Sequence, residues 1–405
     1  MTASALALTA TAACSSGTSG NAASSAGLTG QPIIIGGSGP DTGQVFNAPE
    51  QREGLQAAVD SINSAGGING RPLQLEYCDG KFDPNAEISC ARKLAAKKIV
   101  VAIDPFFAAD ASDTAYKILD DAGIPQITRG TPVGRLTSTK SYLLSSGAPG
   151  WFYGEVASLV NDGARKIAIL ISPSPSAQFA SQVMARALDS IGVRHTTVVF
   201  DPKTDPTGAT AAAKATADGV QGVTLSLTNA AIPVVVSAMR HGGYTGEIAS
   251  CSCSFTPETI QALGANAEGI KVVSQIAFST DTKNPGVSQY LSDLKKFGAG
   301  APPKETGLFA WSGVKLFAAV VKPLDKIDAA SVTKALNTMT APVDIGTVAP
   351  WQIAGKKPPV PEWPRVVNTS VQIGVVRNGA IQPSDEGFIN PFAELRKVAV
   401  TKAGG

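Results

Sequence analysis

The chain has 405 residues, 43% of them hydrophobic and 16% charged, with 34 Lys+Arg against 32 Asp+Glu. At roughly 100–200 residues per domain this length gives two or three domains, and the apolar share excludes wholesale disorder. A formal net charge of +2, with no basic run longer than Lys97-Lys98 or Lys356-Lys357, excludes nucleic acid or an anionic membrane surface as the main partner.

Met1 to Ala13 carries no charge and ends at Cys14, after which small polar residues run to Gly30; the first Lys or Arg is Arg52. Thr11-Ala12-Ala13-Cys14 resembles a bacterial lipoprotein signal, followed by a Ser/Gly tether over 15–30. That resemblance implies cleavage before Cys14, lipid on its sulfur, and a protein held on the outer face of the cytoplasmic membrane. It departs from the pattern in lacking a basic n-region and in having Thr11 where Leu is usual, as expected if the true start lies upstream. The alternative is a disordered cytoplasmic N-terminus with an incidental Cys. No run of 18 or more apolar residues follows, so membrane contact is expected only through the anchor.

The body alternates strand and helix patterns. Ile33–Ile35 is a β-branched run that breaks into Gly36–Pro40, and Ala48–Asn63 has Leu55, Ala58, Val59 and Ile62 at helical spacing. Leu73–Tyr77 reads as a strand, Pro84–Ala96 as a helix, Ile99–Ile103 as a strand, Asp110–Ala122 as a helix and Ile124–Thr128 as a strand. After Gly147-Ala148-Pro149 the rhythm restarts with helix Trp151–Val160, strand Ile167–Ile171, helix Gln178–Ile191 and strand Thr196–Phe200. A helix near Thr207–Ala217, strand Val220–Leu227, helix Ala231–His241 and strand Gly246–Ser250 complete that half. Continuous apolar strands between helices mark parallel sheets covered on both faces. The fold class is α/β: two doubly wound, Rossmann-like lobes.

Lys271–Ile276 is a further strand, and Gln289–Phe297, Thr306–Val321 and Ala330–Thr338 are helices. A Pro-rich insert at Lys357–Pro364 reads as a stiff surface loop, and Val371–Val376 is strand-like. This region returns to the first lobe and then to the second, giving three crossings. Lobe 1 is expected over 31–148 plus about 278–342, lobe 2 over 149–277 plus about 343–395, and a tail over 396–405. Apart from Cys14 there are four cysteines, an even number that suits an oxidising compartment. A Cys78–Cys90 bridge would staple a strand end to the next helix, whereas Cys251-Ser252-Cys253 reads as a small disulfide or two thiols.

Gly39-Pro40-Asp41-Thr42-Gly43 after the first strand, Gly66-Gly67-Ile68-Asn69-Gly70-Arg71-Pro72-Leu73 after the first helix, and Asp83-Pro84 carry a family resemblance. The chain resembles periplasmic substrate-binding proteins of the branched-chain amino acid type, from about Ile33 to Ile381. The resemblance implies a type I binding protein, a monomer, that captures a small molecule between its lobes and delivers it to the permease and ATPase subunits of an ABC importer. In the family, Ser/Thr hydroxyls and backbone amides hold the ligand carboxylate, and an acidic residue of the second lobe holds the ammonium. Here the first-lobe loops read Asp104-Pro105-Phe106-Phe107-Ala108 and Arg129-Gly130-Thr131, with Arg129 a possible carboxylate partner. Phe46, Ser176, Gln178, Ser252 and Phe278 complete the expected ligand contacts, although Phe278 suits hinge packing better than a ligand wall and the Phe106-Phe107 pair equally suits core. Where the family has its acidic residue stands Cys251-Ser252-Cys253-Ser254, which predicts an amine-free carboxylate or apolar ligand in preference to an amino acid, unless Asp104 or Asp110 supplies the charge.

With two histidines, His195 and His241, no metal site is expected, and Gly37–Gly43 misses the dinucleotide fingerprint by one position, so no cofactor is expected either. No nucleophile–base pair stands out, so an enzyme is not expected. A ligand-sensing receptor of the same fold is the competing reading.

Overall fold

A computed structural model describes residues 27–44, 46–105, 112–131 and 133–403. The first series runs β1 (Ile33–Gly39), α1 (Pro49–Ser64), β2 (Leu73–Asp79), α2 (Pro84–Ala96), β3 (Ala102–Ile103), α3 (Ser112–Asp121), β4 (Gln126–Thr128) and β5 (Ser141–Leu143). Its strands form one parallel sheet in the order β2-β1-β3-β4-β5. The second series runs α4 (Gly147–Asn161), β6 (Lys166–Ile171), α5 (Pro175–Ser190), β7 (Arg194–Val199), α6 (Ala209–Ala215), β8 (Gly222–Ser226), α7 (Ala231–His241), β9 (Glu247–Cys251), α8 (Pro257–Leu263) and β10 (Lys271–Ser274). Helices α9 (Pro285–Phe297), α10 (Glu305–Val321) and α11 (Ala329–Thr338) precede β11 (Val371–Arg377), β12 (Ala380–Ile389) and α12 (Pro391–Ala403). The second sheet has the order β12-β11-β10-β9-β8-β6-β7, parallel from β7 to β10 and antiparallel at β11 and β12.

Local chemistry explains where several helices begin. Asp83, Ser174, Thr256 and Asn284 each cap a helix with a side-chain oxygen, and each is followed by Pro at the first helical position. The cap satisfies an orphan amide, and proline has no amide to satisfy. In α1 the residues Leu55, Ala58 and Val59 are fully buried, the inward stripe expected of helical spacing.

The hydrophobic packing divides the chain. One core joins Ile35, Leu55 and Ile103 of the first series to Leu308, Phe309 and Phe317 of α10 and to Trp351. Two others lie on the faces of the second sheet, one centred on α4 and α5 and one on α7. Three segments link the lobes and are tied together: Ser145 Oγ donates to Gln275 Oε1 at 2.9 Å, the Ala277 amide to Thr347 O at 2.8 Å, and the Phe278 amide to Gln372 Oε1 at 3.1 Å.

Three expectations are corrected. Val348 and Trp351 lie in the first-lobe core and Val343, Ile345 and Ile353 pack on it, so the chain leaves that lobe after 353, not near 343. The Trp351 indole also donates to Leu143 O at 2.9 Å, holding this segment to β5. The Pro-rich insert is no mere surface loop: Val360 and Trp363 are 6% and 7% exposed, and Trp363 meets Tyr153 and Phe179 edge-on. Residues from 396 continue α12, whose Phe392 and Leu395 are buried in the second lobe.

Both cysteine pairs are bonded. Cys78–Cys90 joins the end of β2 to α2, with Cα atoms 5.5 Å apart, and Cys251–Cys253 closes a ring at the end of β9.

Candidate ligand site

In an open parallel sheet, loops at the carboxyl ends of the strands form the natural crevice. In the first lobe Asp104 follows β3 and Arg129 follows β4. Asp104 adopts φ +44°, a left-handed conformation unusual for a residue other than glycine. It is held there by its amide, which donates to Ile127 O at 2.7 Å, and by Gln51 of α1, whose amide group donates to the Asp104 carbonyl at 2.6 Å and to Oδ2 at 3.0 Å. Arg129 grips the same carboxylate with two nitrogens, Nε to Oδ1 at 2.9 Å and Nη2 to Oδ2. The pair is largely buried, with side-chain exposures of 11% for Arg129 and 4% for Asp104. The guanidinium also lies 4.8 Å from the centre of the Phe309 ring, adding a cation–π contact from α10.

Helix α10 brings the next group. It packs against α1 so closely that a Cβ on Gly54 would lie 2.2 Å from Gly307 O. Beside that crossing Thr306 donates to Glu50 Oε1 at 2.6 Å. This approach sets Glu305, the first residue of α10, half-buried at the edge of the first lobe. Its carboxyl faces the hydroxyls of Ser252 and Ser274 from the second lobe, and Arg129 from its own. Burial raises the Glu305 pKa above the ordinary value, opposed by those hydroxyls and the Arg129 charge. Burial likewise raises that of Asp104, against the pull of Arg129 and Gln51.

On the opposite side Ser252 sits inside the Cys251–Cys253 ring, its amide donating to Val273 O at 2.8 Å. Its Oγ is buried and makes no hydrogen bond of good geometry. The cluster therefore straddles the two lobes: an internally neutral Asp104–Arg129 pair, a second carboxylate at Glu305, and the Ser252 hydroxyl facing it.

The structure brings together only part of the expected site. Arg129 is engaged by Asp104 and does not present an unoccupied fork to a ligand carboxylate. Gly130 is buried at φ +76°, and an added Cβ would lie 2.8 Å from Gly147 Cα, so it serves the close approach of the loop to α4; Thr131 follows it, partly exposed. Phe46 is 38% exposed and meets Phe82, in the surface loop after β2, with tilted rings whose centres are 5.4 Å apart. Ser176 and Gln178 are exposed on the first turn of α5. Phe278 is 4% exposed and packs in the second-lobe core against Gly374. Phe106, Phe107, Ala108, Asp110 and Cys14 lie outside the described residues.

Glu305 was not anticipated, and it changes the ligand argument. The expectation of an amine-free ligand rests on there being no acidic group against the Cys251–Ser254 loop, and Glu305 reaches that loop from the other lobe. The sequence does carry a signal: Glu305 is the single acidic residue of a largely apolar helix, shortly after Pro302-Pro303. Among the described residues no group of His, Cys, Asp and Glu could hold a metal ion, and no helix is long and apolar enough to cross a membrane.

Two lobes with the same parallel strand order, three crossings, and polar groups facing one another across the interface define a two-lobed, type I solute-binding protein. The chain belongs to the periplasmic binding protein family, whose model matches residues 32–357. It is a family of extracytoplasmic substrate-binding proteins and not of enzymes. An amino acid binding protein of Pseudomonas aeruginosa is 24% identical over 319 residues, covering 76% of this chain and 82% of that protein. An extracellular ligand-binding receptor from Verminephrobacter eiseniae superposes with a TM-score of 0.71 at 22% identity, covering 87% of this chain and 99% of that one. The branched-chain amino acid transporter substrate-binding protein LivJ of Streptococcus pneumoniae, solved in complex with isoleucine, superposes with a TM-score of 0.65 at 16% identity over 87% of this chain and 98% of that one.

Proposed function

We propose that this protein captures a small organic ligand between its lobes and delivers it to the permease and ATPase subunits of an ABC importer, tethered to the membrane by lipid on Cys14. The observation that carries the ligand reading is Glu305, a carboxylate in excess over the Asp104–Arg129 pair and facing the second lobe. A ligand carboxylate placed there alone would meet a like charge, whereas an ammonium would be paired and would draw the lobes together. An amino acid is thus favoured over the amine-free acids. The names of the Pseudomonas and Streptococcus proteins support this choice, and the second of them supports the transport role. The importer reading is preferred to the sensor on the relatives' names.

The test is a thermal-shift panel of amino acids, amine-free carboxylates and apolar neutrals on the chain from Ser15 onward. A ligand at a hundredfold over its dissociation constant adds about 2.7 kcal/mol, enough to move the transition. Stabilisation by amino acids supports the reading; stabilisation only by amine-free acids returns the ligand to the class that the Cys251–Ser254 loop alone predicts. Metabolic labelling with a fatty acid, lost in Cys14→Ser, tests the anchor.

A further inference from the structure

The two disulfides differ in their surroundings. Cys78–Cys90 has one sulfur partly buried in β2 and the other in a residue only 2% exposed. Cys251–Cys253 spans a single residue, and while Cys251 is 3% exposed, Cys253 is exposed. The residue enclosed by this small ring is Ser252, the second-lobe hydroxyl that is buried, has no well-formed partner and faces Glu305. The same ring is fastened at its base: Ser252 N donates to Val273 O at 2.8 Å, and the amides of Ser254 and Phe255 donate to Cys251 O at 3.2 and 3.0 Å. A bridge with one exposed cysteine therefore fixes a buried hydroxyl that faces Glu305 across the lobe interface.

We propose that the Cys251–Cys253 bridge is the positioning element for Ser252 and makes ligand affinity depend on the redox state of this pair. The inference rests on the reading that the cleft is the ligand site. The oxidised ring presents Ser252 to the ligand and to Glu305. A dithiol reductant attacks the exposed Cys253 sulfur and expels the Cys251 thiolate, leaving a mixed disulfide. Its second thiol then closes the reductant into a cyclic disulfide and expels the Cys253 thiolate. The two protons of the reductant end on the two cysteines, and two electrons have passed from reductant to protein. With the ring open, the loop from 251 to 255 loses its covalent constraint and Ser252 its fixed direction.

The experiment uses graded dithiothreitol, with alkylation and mass spectrometry to assign which thiols appear. Hydrogen exchange is followed in the ligand-free protein, and titration with L-leucine and with 2-hydroxy-4-methylpentanoate in both redox forms. Cys251 and Cys253 are expected to become alkylated at reductant concentrations that leave Cys78–Cys90 bonded. The amides of Ser252, Ser254 and Phe255 then exchange about tenfold faster. Affinity for whichever compound binds falls about tenfold, the loss of one hydrogen bond to a charged partner. Ser252→Ala should weaken the oxidised protein equally and be indifferent to reduction, which a bridge serving only general stability would not produce. The inference is overturned if Cys78–Cys90 opens first, if exchange at 252–255 is unchanged after selective reduction, or if reduction weakens Ser252→Ala as much as the native chain. Failure of the oxidised protein to bind either compound counts against the ligand reading, while the exchange result decides the loop claim separately.

Discussion

Arg129→Ala should destabilise the first lobe more than any other single truncation at the lobe interface. The change removes both nitrogens that hold Asp104 and the contact with Phe309, leaving a carboxylate that is 4% exposed with Gln51 as its one remaining side-chain partner among the described residues. Removing one member of a buried ion pair costs about 3–5 kcal/mol, because the remaining charge is stranded. For a unit of lobe size, about 2–4 °C of melting temperature per kcal/mol gives a loss of about 6–20 °C. The cost should grow as pH rises. At low pH the stranded Asp104 protonates and the penalty shrinks; above its raised pKa the folded state must carry an unpaired charge. Asp104→Asn added to Arg129→Ala removes that charge and should recover more than half of the loss. Scanning calorimetry of the three variants between pH 5 and 8 is the assay. A single-variant loss below about 1 kcal/mol, or a double variant no better than the single, would refute the reasoning.

Three further outcomes follow from the same structure. Replacing Cys78 and Cys90 by Ala releases a loop of sequence separation 12 and should cost about 3 kcal/mol in urea unfolding, if the bridge acts by restricting the unfolded chain. Glu155 in α4 is 0% exposed with neither carboxyl oxygen partnered, and burial alone raises its pKa well above 4.5. The unfolded chain therefore ionises first, and stability present below pH 4.5 declines as pH rises toward the folded value. The slope is about 1.4 kcal/mol per pH unit, and Glu155→Gln should remove that decline from urea midpoints measured across pH. Gly54→Ala puts a Cβ 2.2 Å from Gly307 O, so α1 and α10 must separate. A loss of about 1–3 kcal/mol is expected, with weaker ligand binding because Glu305 moves with α10.

The alternating halves of the chain were legible because buried parallel strands announce themselves as apolar runs, as Ile167–Ile171 does. Ser141–Leu143 was not, since a three-residue strand opening on Ser has no period to detect. Helix α8 was missed although Thr256-Pro257 carries the same cap-and-proline start as Asp83-Pro84. The site was legible only in its loops. Arg129 was visible as an unusual charge, but its partner Asp104, 25 residues earlier, needed the sheet to bring them together. Glu305 lies 53 residues beyond Ser252, and only the Gly54–Gly307 contact and the lobe interface put the two face to face. Trp351 and Trp363 show the same limit: each lies in an irregular segment, and their opposite lobes were decided by tertiary packing.

The central claim is that Glu305 reads a ligand ammonium across the cleft, and calorimetric titration with L-leucine and its amine-free counterpart 2-hydroxy-4-methylpentanoate tests it most directly. Native protein should bind the amino acid more tightly than the hydroxy acid. Glu305→Gln should weaken the amino acid about 10- to 100-fold, the worth of one charge-assisted hydrogen bond, and leave the hydroxy acid unaffected or improved. Equal or tighter binding of the hydroxy acid by the native protein, with Glu305→Gln changing nothing, would contradict the account.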